Sequence, residues 1–140
     1  MILLVDKSSS DPIYVQIRNQ VVAGIATGQL QAGDRLPGVR TLAADLGVNL
    51  HTVNKAYAVL RDEGHITMKG RSGAFVADLS QAPGQVPHRM DHIKLSTSLY
   101  QLALEHRACG GTWESFMEAA RVQADHAFGG GPSAPGAPAE

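Results

Sequence analysis

Gly33-Asp34-Arg35-Leu36-Pro37-Gly38-Val39-Arg40-Thr41-Leu42-Ala43-Ala44-Asp45-Leu46-Gly47-Val48-Asn49 carries the clearest structural signal in the chain. Leu36-Pro37 is an apolar anchor ahead of a short helix, about Gly38 to Leu46. Val39, Leu42, Ala43 and Leu46 fall at i, i+3, i+4 and i+7 and give that helix one buried face. Gly47 admits the left-handed backbone that a sharp turn between helices needs, and Val48 plugs the turn. Asn49 is a preferred N-cap and opens a second helix running to Glu63, with Val53, Ala56, Tyr57 and Leu60 inward. Gly64 stops it. Two short alternating segments, 66–69 and 74–77, then flank Gly70-Arg71-Ser72-Gly73. Helix, tight turn, helix and glycine-tipped hairpin, in that order, predict a winged helix-turn-helix, an arrangement that reads duplex DNA.

Residues 1–10 are expected to form an extended arm ending in Ser8-Ser9-Ser10. Asp11 is the expected cap and Pro12 the first residue of a helix that buries Tyr14, Ile17, Val21 and Ile25. Gln16, Arg18, Asn19 and Gln20 lie elsewhere on its surface, and Gly28 ends it. On the other side, Ser80 to His88 holds Pro83, Gly84 and Pro87 without apolar periodicity and reads as a linker. His92 to Ala108 then carries Leu95, Leu99, Leu102 and Ala103 on one face. Gly110-Gly111 makes a tight connection, and Thr112 caps a last helix with Trp113, Phe116, Met117 and Ala120 on its buried side. From Gly129 the chain is low-complexity and expected to be disordered. The expected fold class is mainly α with a small β wing. A winged helix-turn-helix domain spans 1–79, a linker 80–88, a C-terminal α-helical hairpin 89–128 and a tail 129–140.

The bulk numbers bound the function. A hydrophobic share of 44% excludes wholesale disorder, and 5% aromatics leave the core to Leu, Val, Ile and Ala. A net charge of −1 argues against a nucleic-acid partner until its distribution is read. From Arg35 to Gly73 there are six Lys/Arg against three acids; beyond Ser80 there are four against six. A mildly basic module joined to an acidic one suits a DNA reader whose tail has another task. Cys109 is the single cysteine, fits a reducing compartment, and is expected to pack as a small apolar residue. The first residues lack a secretory pattern and no run approaches a membrane span, so a cytoplasmic protein without membrane contact is expected.

Catalysis finds no support: there is no nucleophile elbow, phosphate loop or paired-carboxylate arrangement, so neither an enzyme nor a cofactor is expected. Six histidines raise a metal site, but His88 sits in the linker near His92, and His106 and His126 lie on separate helices without Cys or Asp beside them. No metal is expected. Two amphipathic helices of this size cannot make a core alone, so their stripe docks on the winged domain or on a second copy. Dimerisation is the expectation, with Leu95, Leu99, Leu102, Trp113, Phe116, Met117 and Ala120 at the interface. A two-fold dimer places two readers roughly 34 Å apart on DNA. Signal input through DNA competition, a partner protein or an unknown small-molecule effector stays open.

The sequence resembles the GntR family of bacterial transcriptional regulators over about residues 11–77. The resemblance rests on Pro12-Ile13-Tyr14-Val15-Gln16-Ile17, Gly33-Asp34-Arg35-Leu36-Pro37, Val39-Arg40-Thr41-Leu42-Ala43 and Thr52-Val53-Asn54-Lys55-Ala56-Tyr57. Leu60, Glu63-Gly64 and Gly73-Ala74-Phe75-Val76 complete it. By its length and helical pattern the C-terminal pair resembles the YtrA-type subfamily, whose small tail serves dimerisation.

The resemblance implies a homodimeric repressor on double-stranded operator DNA. It places Arg35 and Arg40 at phosphate or groove contacts. It puts Asn49, Leu50, His51, Thr52, Asn54 and Lys55 on the exposed face of the recognition helix, and Gly70, Arg71 and Gly73 in a wing near the minor groove. Bland alternatives stand beside these roles: Arg35 pairs with Asp34 or Asp45, Asn49 mainly caps, and Tyr57 is core. Two departures matter. Gly38 stands where the family usually has Ser, removing a side-chain cap worth a few tenths to about 1 kcal/mol. Leu50 stands where many members carry Arg, so a guanine-reading contact does not transfer; Leu50 touches a thymine methyl or packs. The runner-up is a protein-interaction module that keeps the winged helix as a scaffold. A relative fused to an aminotransferase-like half is rejected, because the chain is too short and no lysine sits in a cofactor setting.

Overall fold

Three helices share one apolar core in the first part of the chain: α1 (Ile13–Ala26), α2 (Val39–Leu46) and α3 (Leu50–Asp62). A two-stranded antiparallel sheet follows, β1 (Ile66–Met68) and β2 (Ala74–Val76), in the register Ile66–Val76, Thr67–Phe75 and Met68–Ala74. Helices α4 (Val86–Ala108) and α5 (Trp113–Phe128) complete the element order. The computed structural model describes residues 3–78 and 86–129. Residues 80–85 of the expected linker and 130–140 of the expected tail lie outside these. The chain divides into two units, residues 1–87 and 88–140.

The first unit has a core of its own. Ile17, Val21, Val53, Leu60 and Ile66 are fully enclosed, and Leu30, Leu36, Leu42, Ala43, Ala56, Tyr57, Ala74 and Val76 are buried around them. Each enclosed aliphatic side chain contributes about 1.5–3 kcal/mol, enough to order three short helices that would not persist alone. The periodicities named these faces correctly on α2 and α3. At the turn between those helices Gly47 adopts φ 67°, while Val48 N–H donates to Ala43 O at 3.0 Å and Gly47 N–H to Ala44 O at 3.3 Å. This pair of back-bonds satisfies the last carbonyls of α2 and swings the chain into α3. Gly38 caps α2 without any side-chain bond, as its substitution for a hydroxyl residue implies.

Several details differ from the sequence reading. Pro12 rather than Asp11 occupies the N-cap of α1, and its carbonyl accepts from Val15 and Gln16, each at 3.1 Å. Proline lacks the N–H that a helix start cannot satisfy anyway, so either place suits it. Residues 33–36, for which the sequence offered only the apolar anchor Leu36-Pro37, run beside β2 as a third extended segment. Gly33 N–H donates to Val76 O (2.9 Å), Val76 N–H to Asp34 O (2.8 Å) and Leu36 N–H to Ala74 O (2.8 Å). Helix α4 starts at Val86, within the expected linker, which places Pro87 in a first turn where proline is tolerated.

The arm lies along α1. Gln16 and Gln20 use their carboxamides as a backbone would: Asp6 N–H donates to Gln16 Oε1 (2.8 Å), Gln16 Nε2 to Asp6 O (2.9 Å), and Leu4 N–H to Gln20 Oε1 (3.0 Å). Gln20 Nε2 returns a bond to Leu4 O. The spacing explains the match: four helical residues rise about 6 Å and two extended residues about 6.6 Å. Lys7 Nζ donates to Gly47 O at 2.9 Å, fastening the arm at the C-terminal end of α2. The Ser8 hydroxyl and amide both donate to Asp6, holding its carboxyl below the ordinary carboxylate range.

In the second unit, Gly110 and Gly111 close α4: Gly111 N–H donates to His106 O (2.9 Å) and Gly110 N–H to Arg107 O (3.0 Å). Thr112 caps α5 through a reciprocal box with Ser115. The His106 ring stands 2.7 Å from Ser115 Oγ and 5.9 Å from the Phe116 ring. Cys109 is exposed at the end of α4 rather than packed, because the chain turns there on glycines that offer it no neighbour to bury against.

Candidate nucleic-acid interface

Helix α3 presents one polar face and one buried face, as a rotation of 100° per residue requires. Val53, Ala56, Tyr57 and Leu60 are inside; His51, Asn54 and Lys55 are exposed together on the other side. Asn49 does what its capping role requires, with Oδ1 accepting from the His51 amide at 2.7 Å. The N-terminal end of a helix carries a partial positive charge that attracts phosphate. Leu50 and Thr52 flank Val53 in projection and are half-buried rather than exposed, and Leu50 lies against the core. Leu50 packs because its apolar surface has a core edge to cover.

Tyr57 ties this helix to α2. Its ring is buried and its hydroxyl donates to Pro37 O at 2.7 Å, while burial pushes its pKa up to about 12. Arg18 on α1 pairs with Glu63 at 2.9 Å, both half-buried, and holds the far end of α3 against α1. Arg40 stands exposed in the first turn of α2.

The wing closes through Lys69 N–H donating to Gly73 O at 2.9 Å, with a 3-10 turn over Gly70–Ser72 that leaves Arg71 exposed at the tip. Gly73 has φ 109°, and a Cβ there would stand 3.4 Å from Arg35 Nε. The positive φ is what favours glycine here, with the Arg35 side chain lying within contact distance of it. Arg35 therefore joins the wing at its base. The Asp34 carboxylate accepts instead from the Gln31 amide at 2.8 Å.

Residues 13–76 match the family described as bacterial regulatory proteins, gntR family. Over 115 residues the chain is 36% identical to the HTH-type transcriptional repressor YtrA of Bacillus subtilis, covering 81% of this chain and 85% of that one. The chain belongs to the GntR family. Its resemblance to YtrA extends beyond the winged domain into the C-terminal helices. It is also 41% identical over 75 residues to the HTH-type transcriptional regulator Rv1152 of Mycobacterium tuberculosis, 54% of this chain and 62% of that regulator. The chain spans less than two thirds of that relative, and 13% and 16% of two longer regulators. Among solved structures it is similar to a transcriptional antiterminator from Listeria monocytogenes, with a TM-score of 0.79, 25% identity, and 94% and 96% of the two chains covered. As a GntR protein the chain carries the DNA-binding domain of a family of transcription regulators.

Two features of this GntR surface escaped the sequence reading. Lys69 places Nζ 5.0 Å from the Phe75 ring centroid, adding a cation to the wing. Its signal was present as a lysine beside Gly70-Arg71, opposite an aromatic on the paired strand. Lys55, named from sequence, places Nζ 4.2 Å from the Tyr14 ring centroid, a contact between α1 and α3 that no local pattern announces. No helix among the described residues is long and apolar enough to cross a membrane.

Proposed function

We propose that this regulator acts as a homodimeric repressor that occupies a two-fold operator and occludes a promoter. One observation carries the dimer: no residue from 93 to 129 is buried, although α4 and α5 bear many large apolar side chains. Trp113 is 72% exposed, Leu95 57% and Leu102 54%. Leu99 and Met117 are exposed too, while Phe116 and Ala120 are half-buried. A helical pair with this surface is stable when a like surface covers it, and a second copy brings one. Two copies joined there offer two α3 helices to successive turns of one groove face, roughly 34 Å apart. Arg40, His51, Asn54, Lys55 and Arg71 are the side chains that meet the duplex, with Arg35 and Gly73 shaping the wing. The repressor sense is supported by the relative named as one. A small-molecule effector would act on the spacing of the two readers.

A gel shift with DNA from immediately upstream of its own reading frame tests this, combined with sedimentation of the complex. Two chains per duplex and a footprint with paired half-sites are expected. No retardation, with the helical pair still capturing a protein partner, would turn the reading to an interaction module. Deleting the gene should raise expression from the footprinted promoter; unchanged or lower expression overturns repression.

A further inference from the structure

The Lys55 ammonium lies 4.2 Å from the centroid of the Tyr14 ring, so a side chain on α3 is held by one on α1. Lys55 is exposed on the same helix face as His51 and Asn54, whereas Tyr14 is half-buried and packed against the core. A lysine stem is flexible, and an exposed one samples many rotamers. A half-buried ring packed against the core offers a steadier electron-rich face over which the ammonium settles. One side of the ammonium meets the ring, and its other N–H donors point away from it.

We propose that Tyr14 is a positioning residue for DNA binding: its ring holds the Lys55 ammonium ready for a phosphate of the duplex backbone. The contact then forms with less loss of side-chain freedom than a mobile lysine would suffer. This rests on α3 being the DNA-facing helix, but not on the dimer, the operator or repression. Phosphate contacts carry no sequence information, so a random-sequence duplex at low salt reports on it even if no operator is found.

The test uses the full chain and fluorescence anisotropy over a salt series. Tyr14→Phe keeps the ring face and should bind as the wild type does. Tyr14→Leu should lose about 2- to 5-fold in affinity, the range an exposed cation–π contact supplies. Lys55→Met should lower the salt slope by about one. In the Lys55→Met background, Tyr14→Leu should cost nothing further. An equal loss in that background makes Tyr14 merely structural and overturns the proposal, as does a gain in affinity, which would mean that the ring withholds the lysine. A measurement without variants guards against misfolding. The Lys55 ε-methylene protons of the wild type should be shifted upfield by the ring in its NMR spectrum. Finding them at random-coil positions removes the geometry and the proposal with it.

Discussion

The Tyr57 hydroxyl donates to the carbonyl oxygen of Pro37 across 2.7 Å, joining the middle of α3 to the residues just ahead of α2. The two helices of the helix-turn-helix are thereby linked by one partly buried hydrogen bond as well as by packing. Tyr57→Phe removes the donor and leaves the carbonyl without it. The expected loss is about 0.5–1.5 kcal/mol, read as a lower urea midpoint at unchanged m. A midpoint equal to that of the wild type would show that water replaces the phenol without cost.

The same group predicts a response to alkaline pH. Burial raises the folded-state pKa of Tyr57 to about 12, above its ordinary value of 10.0, so the neutral phenol is favoured in the native state. That contribution is complete below about pH 10 and is lost as pH rises toward 12, amounting to about 2–3 kcal/mol. Stability measured across this window should fall more steeply in the wild type than in Tyr57→Phe. Parallel pH profiles would refute the assignment.

Arg40 is exposed in the first turn of α2, within the motif that carries the family resemblance. Arg40→Ala should weaken DNA binding and lower the dependence of log K on log salt by about one counterion. An unaltered slope takes Arg40 off the list of phosphate contacts.

The arm depends on two carboxamides. Gln20→Ala deletes both bonds to Leu4, and the expected effect is local: faster amide exchange at Leu4 with the exchange of the α3 core unchanged. The global cost should be about 1 kcal/mol or less. Slow exchange at Leu4 in the variant would show that Leu3 and Val5, packed on the core, hold the arm unaided.

What the sequence disclosed and what it hid follow from the range of the interactions. Gly47 and Asn49 act within a few residues of themselves, so their turn and cap were legible, as were the buried faces of α2 and α3. The third extended segment beside β2 was not, because its pairing joins residues about forty apart. Gln16 and Gln20 looked like surface residues because nothing local distinguishes a solvated amide from one that binds a distant backbone. For the interface, polar positions on α3 could be named, but Leu50 turned inward and Lys55 acquired Tyr14 through a helix contact set by tertiary packing. Cys109 was misplaced because free cysteine is usually buried, a tendency that a glycine-rich helix end overrides.

The two units differ in what they can do alone. The first encloses Ile17, Val21, Val53, Leu60 and Ile66, whereas residues 93–129 bury nothing. A chain ended at about Ser80 should therefore unfold cooperatively, sediment as a monomer, and bind DNA more weakly by the loss of its second reader. The matching change in the full chain is Leu102→Glu, which puts a charge on an apolar surface 54% exposed in the single chain. A charge there is neutral in a monomer but repelled across a two-fold seam. Sedimentation equilibrium should show dissociation with an unchanged melting curve for the winged unit. A truncated chain that still sediments as a dimer would move the interface onto the winged unit and leave the exposed leucines of α4 for a different partner.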